Sequence, residues 1–544
     1  MSTNNFSASP QKPETKQAAA GPVLNLNRAL IKSTSIIALG TFISRVLGFL
    51  RDIVLARLFG TAATADAFFV ANRIPNLFRD LAGEGATNAA VVPVLSEYAA
   101  KKDKEELWSL IGVVFSFALI ILSLITIIGI VFAPWIVRLI APGFIAEPEK
   151  LKLTIQLTRI MFPYLVLIGL TAYSMGILYT FRSFFSPAFS PCLLNIAMIL
   201  SAYIASRTME EPIFGLAIGV LAGGVAQLLV QLGPMARKGV KFIKPKTLSH
   251  PGARKIGTLL LPRLFGSAIY QLNVFVDTFC ASLASVVGGG AISAIYYANR
   301  IIQFPMGVFS ISLASALLPT MSELSAKNDT QQLKKTLVFS LENIFLVMLP
   351  MSAFIMILST PMVRVFFQRG AFDSHSTQIT SLALLFYAIG LVSFGGVKVM
   401  VTIFYALQDT RTPVGVAGIA LIINLVLNFA LMGPLKVGGI ALANVVSATF
   451  NFLTLFYLMN KRLGGISDQV LRSFIKILAA TVTMAVAVAL SWEYLMVSNE
   501  LLRLMMTGMI ALCVFGAMCF VLKVGQAVSG LRWLSRKIKI NSAV

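Results

Sequence analysis

Charged side chains gather in one otherwise apolar stretch, and they define the chemistry this chain could do. Residues 44–103 carry Arg45, Arg51, Asp52, Asp66, Arg73, Arg79 and Glu84 between flanks apolar enough to enter a bilayer. An ionised group at membrane depth costs a few kcal/mol or more, so it normally faces a wet cavity or a partner. Several such groups in one pair of helices imply the wall of a water-filled pathway, and the repeated arginines imply an anionic cargo. A guanidinium suits a diphosphate because its planar fork donates two parallel hydrogen bonds and does not deprotonate. A competing reading stays open. Arg45 and Asp52 are seven residues apart on one helix face, and a buried arginine–aspartate pair could simply hold helices together.

Further candidates lie downstream. Asn72-Arg73-Ile74 recurs as Asn299-Arg300-Ile301, so Arg300 would bring a guanidinium to the same cavity from the other side. Asp277 is an isolated acid in an apolar span, and Asn424 and Asn428 share a face of a later one. One acid with amide oxygens could ligate Na⁺ as a coupling ion; inter-helix hydrogen bonding is the alternative. No other cofactor is expected. Cys192, Cys280, Cys513 and Cys519 all fall in apolar stretches without a C-x-x-C pair, which argues against metal or disulfide chemistry. There is no G-x-x-x-x-G-K-[ST] loop and no pair of carboxylates on a soluble domain, so the chain is not expected to be an enzyme.

The elements that must position these residues are membrane helices. Of 544 residues 57% are hydrophobic and 12% charged, about half the usual ~25% charge of soluble domains. Apolar stretches long enough to span a bilayer recur from residue 33 to residue 523. The expected fold is all-α and polytopic, with 14 transmembrane helices; a β-barrel would show short alternating strands instead. The net charge of +23 reflects Lys and Arg gathered in cytoplasmic loops, roughly three to one over the opposite loops, with both termini inside. No basic run interleaves with aromatics on a soluble domain, so no nucleic-acid partner is expected.

An internal repeat divides the chain. V-V-P-V-L-S-E-Y-A-A-K-K-D (91–103) recurs as L-L-P-T-M-S-E-L-S-A-K-N-D (317–329), and Tyr179 and Pro187 recur as Tyr405 and Pro413, at an offset of 226 residues. Each unit holds an even number of spans, so both cross the membrane in the same sense around a central cavity. The expected order is a disordered cytoplasmic tail (1–26), a six-helix lobe (27–240), a basic cytoplasmic linker (241–255) and a second six-helix lobe (256–462). Two extra helices (463–523) and a basic cytoplasmic tail (524–544) follow. Pro75 and Pro305 fall inside spans where a kink would open backbone to the cavity.

With these residues in view, the chain resembles the MurJ/MviN family of lipid II flippases, within the wider group of multidrug, oligosaccharidyl-lipid and polysaccharide exporters. The resemblance rests on S-R-V-L-G-F-L-R-D (44–52), D-A-F-F-V-A-N-R-I-P-N-L-F-R (66–79), A-G-E-G-A (82–86), A-P-G-F (141–144), Y-Y-A-N-R (296–300) and F-Y-A-L-Q-D-T-R-T-P (404–413). It implies export of the undecaprenyl-pyrophosphate-linked peptidoglycan precursor, lipid II, across a bacterial inner membrane by alternating access. Its implied binding arginines fall on Arg45, Arg51, Arg79 and Arg300, with Ser44, Asp66, Glu84 and Ser293 at other polar cavity positions. Some relatives carry acids where this chain has Asn299 and Gln303. The implied partners are lipid II, membrane lipids and other cell-wall synthesis proteins. A cation-coupled drug antiporter, a polysaccharide-lipid exporter and a non-transporting membrane scaffold are the alternatives.

Overall fold

Apolar runs fold as helices here because hydrocarbon offers the backbone no other hydrogen-bond partner. The computed structural model describes the backbone of residues 20–82, 84–242 and 249–525, and the side chains of 35–77, 90–242, 249–260 and 271–525. The expected tails therefore lie largely outside the described residues, as do residues 243–248 of the linker and the side chains of Arg79 and Glu84.

The first half runs through α1 (Ala20–Phe59), α2 (Ala63–Ala82), α3 (Glu84–Lys101), α4 (Lys104–Ile140), α5 (Pro148–Met161), α6 (Tyr164–Thr180), α7 (Phe185–Thr208) and α8 (Pro212–Arg237). The second half begins with α9 (Pro251–Ser282), a short α10 (Ala284–Val287), α11 (Ala291–Pro305), α12 (Ile311–Ala326) and α13 (Thr330–Ile357). It continues through α14 (Ser359–Phe367), α15 (Ser374–Ile389), α16 (Leu391–Ala406), α17 (Arg411–Leu435) and α18 (Val437–Leu463). Two further helices, α19 (Ser467–Tyr494) and α20 (Glu500–Val521), close the chain, and there is no strand among the described residues. Helix α1 already begins at Ala20, inside the stretch expected as tail.

Ten units among the described residues are long and apolar enough to cross a membrane, α5–α6 and α11–α12 each counting as one. The pair α15 and α16, bent by 48°, makes an eleventh. The other three expected spans, α1, α2 with α3, and α9, carry most of the charged candidates, Arg300 in α11 being the exception. In α4 only 28% of the apolar window is buried, and Val131 and Leu139 are 62% and 66% exposed. So large an apolar surface identifies lipid as its solvent.

Helices α1 and α6 pack with α7 and α8, while α13, α15 and α16 pack with α17 and α18 or with one another around them. Helix α19 lies on α13 and pairs with α20. Close approach of α8 to α7 depends on Gly215, Gly219 and Gly223, one turn apart: a methyl there would fall 2.2 Å from Ala205, 1.8 Å from Ser201 and 2.7 Å from Leu194. Small residues let helices meet in lipid, where no hydrophobic force draws them together. That contact fixes the α7 face carrying Asn195 and Met198. At Pro305, where a kink is expected, Met306–Ser310 form a π-helical turn between α11 and α12, a common device at functional sites. Helix α2 runs on through Pro75 as far as Ala82.

Candidate functional site

The two halves enclose a cavity of about 270 Å³. Its wall takes Arg51 from α1, Asn72, Arg73 and Asn76 from α2, Gln271 from α9, and Tyr296, Asn299, Arg300 and Gln303 from α11. Arg51 donates through Nε and Nη2 to Asp52 Oδ1, at 3.0 and 2.7 Å, and through Nη1 to Asn195 Oδ1 at 3.0 Å. From the other half, Arg300 forms an ion pair with Asp52 Oδ2 without hydrogen-bond alignment. Tyr296, one turn before Arg300 on the same face, accepts from both guanidiniums and donates to Asp52 Oδ1 at 3.1 Å. Its ring stacks on Phe69 of α2 with centroids 4.0 Å apart. Arg73 donates to Thr278 of α9.

Asp52 therefore forms a buried pair with each arginine, and the balance of charge is what bears on an anion. One carboxylate serves two guanidiniums, so the Arg51–Asp52–Arg300 cluster keeps a positive charge in excess. Asp52 is fully buried and Arg51 nearly so, whereas the Arg300 side chain is 30% exposed, toward the cavity. An incoming anion would meet Arg300 first.

One end of the cavity is shut. At the α1–α2 turn, Ala371 N donates to Arg57 O at 2.8 Å and the Thr61 and Ser376 hydroxyls meet at 2.8 Å. Gly143 N donates to Ser282 Oγ at 3.1 Å. Asp66 Oδ1 accepts from Ser293 N at 2.9 Å and from Ser293 Oγ at 2.6 Å. Each contact joins the first half to the second. Glycines permit this: a methyl on Gly60 would lie 2.3 Å from Ala371 O, and one on Gly370 2.4 Å from Arg57 O.

The residues singled out from the sequence thus separate. Arg51 and Arg300 line the cavity; Asp66 and Ser293 belong to the seal. Arg45 is exposed and rests against Gly307 in the π-helical turn. Ser44 offers its carbonyl to Asn195 Nδ2 at 3.1 Å, which steadies the partner of Arg51. Asp277, Asn424 and Asn428 do come together: Asn428 Nδ2 donates to Asp277 Oδ1 at 3.3 Å and to Asn424 Oδ1 at 3.0 Å. A nitrogen therefore sits where a hard cation would need oxygen. The donor set fits Na⁺ only with the Asn428 amide turned over; as it stands, the cluster ties α9 to α17.

Sequence reasoning assigned no role to Tyr296, Asn195 or Lys150. The i,i+4 spacing of Tyr296 and Arg300 was the available signal. Lys150, buried beside Asp66 at 3.2 Å, reads in P-E-K-L-K as an ordinary loop charge.

Comparison with known proteins bears on this arrangement. The family model described as lipid II flippase MurJ matches residues 55–507. The chain belongs to that family. It is 34% identical over 469 residues to the lipid II flippase MurJ of Burkholderia cenocepacia, covering 85% of this chain and 89% of that one. It is 37% identical over 441 residues to the probable lipid II flippase MurJ of Vibrio cholerae, covering 80% and 83%. A solved structure of lipid II flippase MurJ in an inward closed conformation superposes with a TM-score of 0.77 at 27% identity, over 89% of this chain and 98% of that one. An inward-facing multidrug MATE family transporter shares the fold at a TM-score of 0.64 and 18% identity, over 77% of this chain and 94% of that one.

Proposed function

We propose that this chain is a transporter that moves lipid II from the inner to the outer leaflet of a bacterial cytoplasmic membrane for cell-wall synthesis. The observation that carries the reading is the cavity between the halves, where Arg51 and Arg300 share the single carboxylate of Asp52 and leave positive charge for a diphosphate.

The polyprenyl tail is at home in lipid, but an ionised diphosphate taken through hydrocarbon would cost tens of kcal/mol before relaxation. Arg300 and Arg51 replace its water with fork-shaped donors, and Arg73 adds a third guanidinium on the same wall. At about 270 Å³ the cavity is smaller than the ~300–1,000 Å³ that drug-sized ligands fill. The sugar–peptide part of the headgroup does not fit, so the halves must part to admit it. The seal suits such a cycle, being built of hydrogen bonds and one ion-paired carboxylate. The loop-charge bias supports placing the seal at the outer face and both termini in the cytoplasm. With the cytoplasm negative, outward passage of an anion gains about 2.3 kcal/mol per charge per 100 mV.

The test is to supply this chain to cells depleted of their own flippase and treat them with an impermeant reagent that modifies lipid-linked precursor only in the outer leaflet. Modified precursor is expected. Chain present in the membrane with the precursor still protected overturns the proposal.

A further inference from the structure

Asp66 makes two kinds of contact, and only one crosses between the halves. Its Oδ1 takes both donors of Ser293 on α11, while its Oδ2 takes Lys150 Nζ of α5, within its own half, at 3.2 Å. Lys150 is itself nine-tenths buried, its ammonium 3.6 Å from the Glu147 carboxylate and 4.3 Å from the centre of the Phe144 ring. Two neutral donors from Ser293 do not compensate a buried carboxylate; a buried charge needs a counter-charge as well as hydrogen bonds. Lys150 supplies it. On its far side Lys150 lines a second cavity of about 980 Å³, walled also by Glu149, Lys152, Glu210 and Glu211.

We infer that Lys150 is a positioning residue of the seal: it holds Asp66 ionised and aimed at Ser293, and the Lys150–Asp66 pair sets how long the halves stay closed at this end. The inference rests on the reading of the chain as an alternating-access transporter. Its test reads closure directly, without export, so the two can fail separately.

With Cys192, Cys280, Cys513 and Cys519 replaced by alanine, Thr61→Cys and Ser376→Cys place two thiols where the hydroxyls now lie 2.8 Å apart. The rate of disulfide formation under mild oxidant reports the closed seal in the full-length protein. Lys150→Met is expected to slow cross-linking about ten-fold or more, since it strands a buried charge; Lys150→Arg should restore most of the rate. The double variant Asp66→Asn with Lys150→Met leaves no stranded charge and guards against simple misfolding. It should cross-link as slowly as Lys150→Met, because the carboxylate that holds Ser293 is gone. Cross-linking at the parent rate in Lys150→Met, or recovery of that rate in the double variant, would overturn the inference and leave Lys150 a folding counter-ion only.

Discussion

Arg51 and Arg300 reach from opposite halves of the molecule to one phenol, each guanidinium lying 2.9 Å from Tyr296 Oη. Tyr296 is thus the hinge pin of the charged cluster: its oxygen sets the spacing of two cations that would otherwise repel. Tyr296→Phe keeps the ring stacked on Phe69 and removes only that oxygen. Losing a hydrogen bond to a charged group costs about 1.5–3 kcal/mol, so precursor export should fall by about ten-fold or more while the protein stays folded. Export at the parental rate would show that the phenol is packing alone.

Asp52 carries a different prediction. Its carboxylate is fully buried between the two guanidiniums. Asp52→Asn leaves them facing each other, and breaking a buried pair costs about 3–5 kcal/mol. A bound diphosphate would return the missing charge. The thermal midpoint of the ligand-free variant should therefore fall, and inorganic pyrophosphate should raise it more than it raises that of the parent. Equal shifts in the two proteins would remove the cluster from the anion site.

How much of this was legible in the sequence follows from what a bilayer penalises. Apolar runs and the 226-residue repeat disclosed the helical fold because lipid allows little else. Arg51 and Arg300 were legible because a guanidinium at that depth must have a purpose. Depth along the helix was not legible. Asp66 sits in the first turn of α2 and so falls at the seal, and Arg45, under two turns from Arg51, falls on Gly307. Lys150 was hidden because its partner is 84 residues away, and nothing in its surroundings marks it as buried. Gly60 and Gly370 were hidden too, since a glycine that admits a carbonyl from another segment looks like any turn glycine.

Those two glycines can be tested against a third. Gly60 and Gly370 both have positive φ, +55° and +62°, and both would drive a methyl into a carbonyl of the opposite half. Gly239 has φ +71° with nothing within 4 Å. Alanine at any of the three carries the left-handed strain of about 1–2 kcal/mol, but only the first two wedge the seal. Gly60→Ala and Gly370→Ala should leave the seal region open to impermeant thiol reagents at a nearby engineered cysteine and slow export about ten-fold, a rate change worth ~1.4 kcal/mol. Gly239→Ala should lower the thermal midpoint and export normally. If all three behave alike, backbone strain and not closure explains the effect.

Acid should loosen the same region through Asp373. This residue caps α15, accepting from Ser376 N at 2.8 Å, and Ser376 is the side chain that meets Thr61 across the seal. The Ser376 backbone N–H, with its hydroxyl and then His375 contributing less, holds the Asp373 carboxyl below its ordinary 3.8. A carboxyl lowered on folding adds stability that is complete above its unfolded value and drains away as pH falls through the lowered one. Asp373→Ala removes the cap and should cost about 1 kcal/mol at neutral pH, within the usual 0.5–2 kcal/mol of such changes. The gap in thermal midpoint between parent and variant should then be constant from pH 7 down to about pH 5 and shrink below 3.8, where the parent also loses its carboxylate. A gap that stays the same at pH 3 would mean that the capping carboxylate contributes through its shape and not its charge.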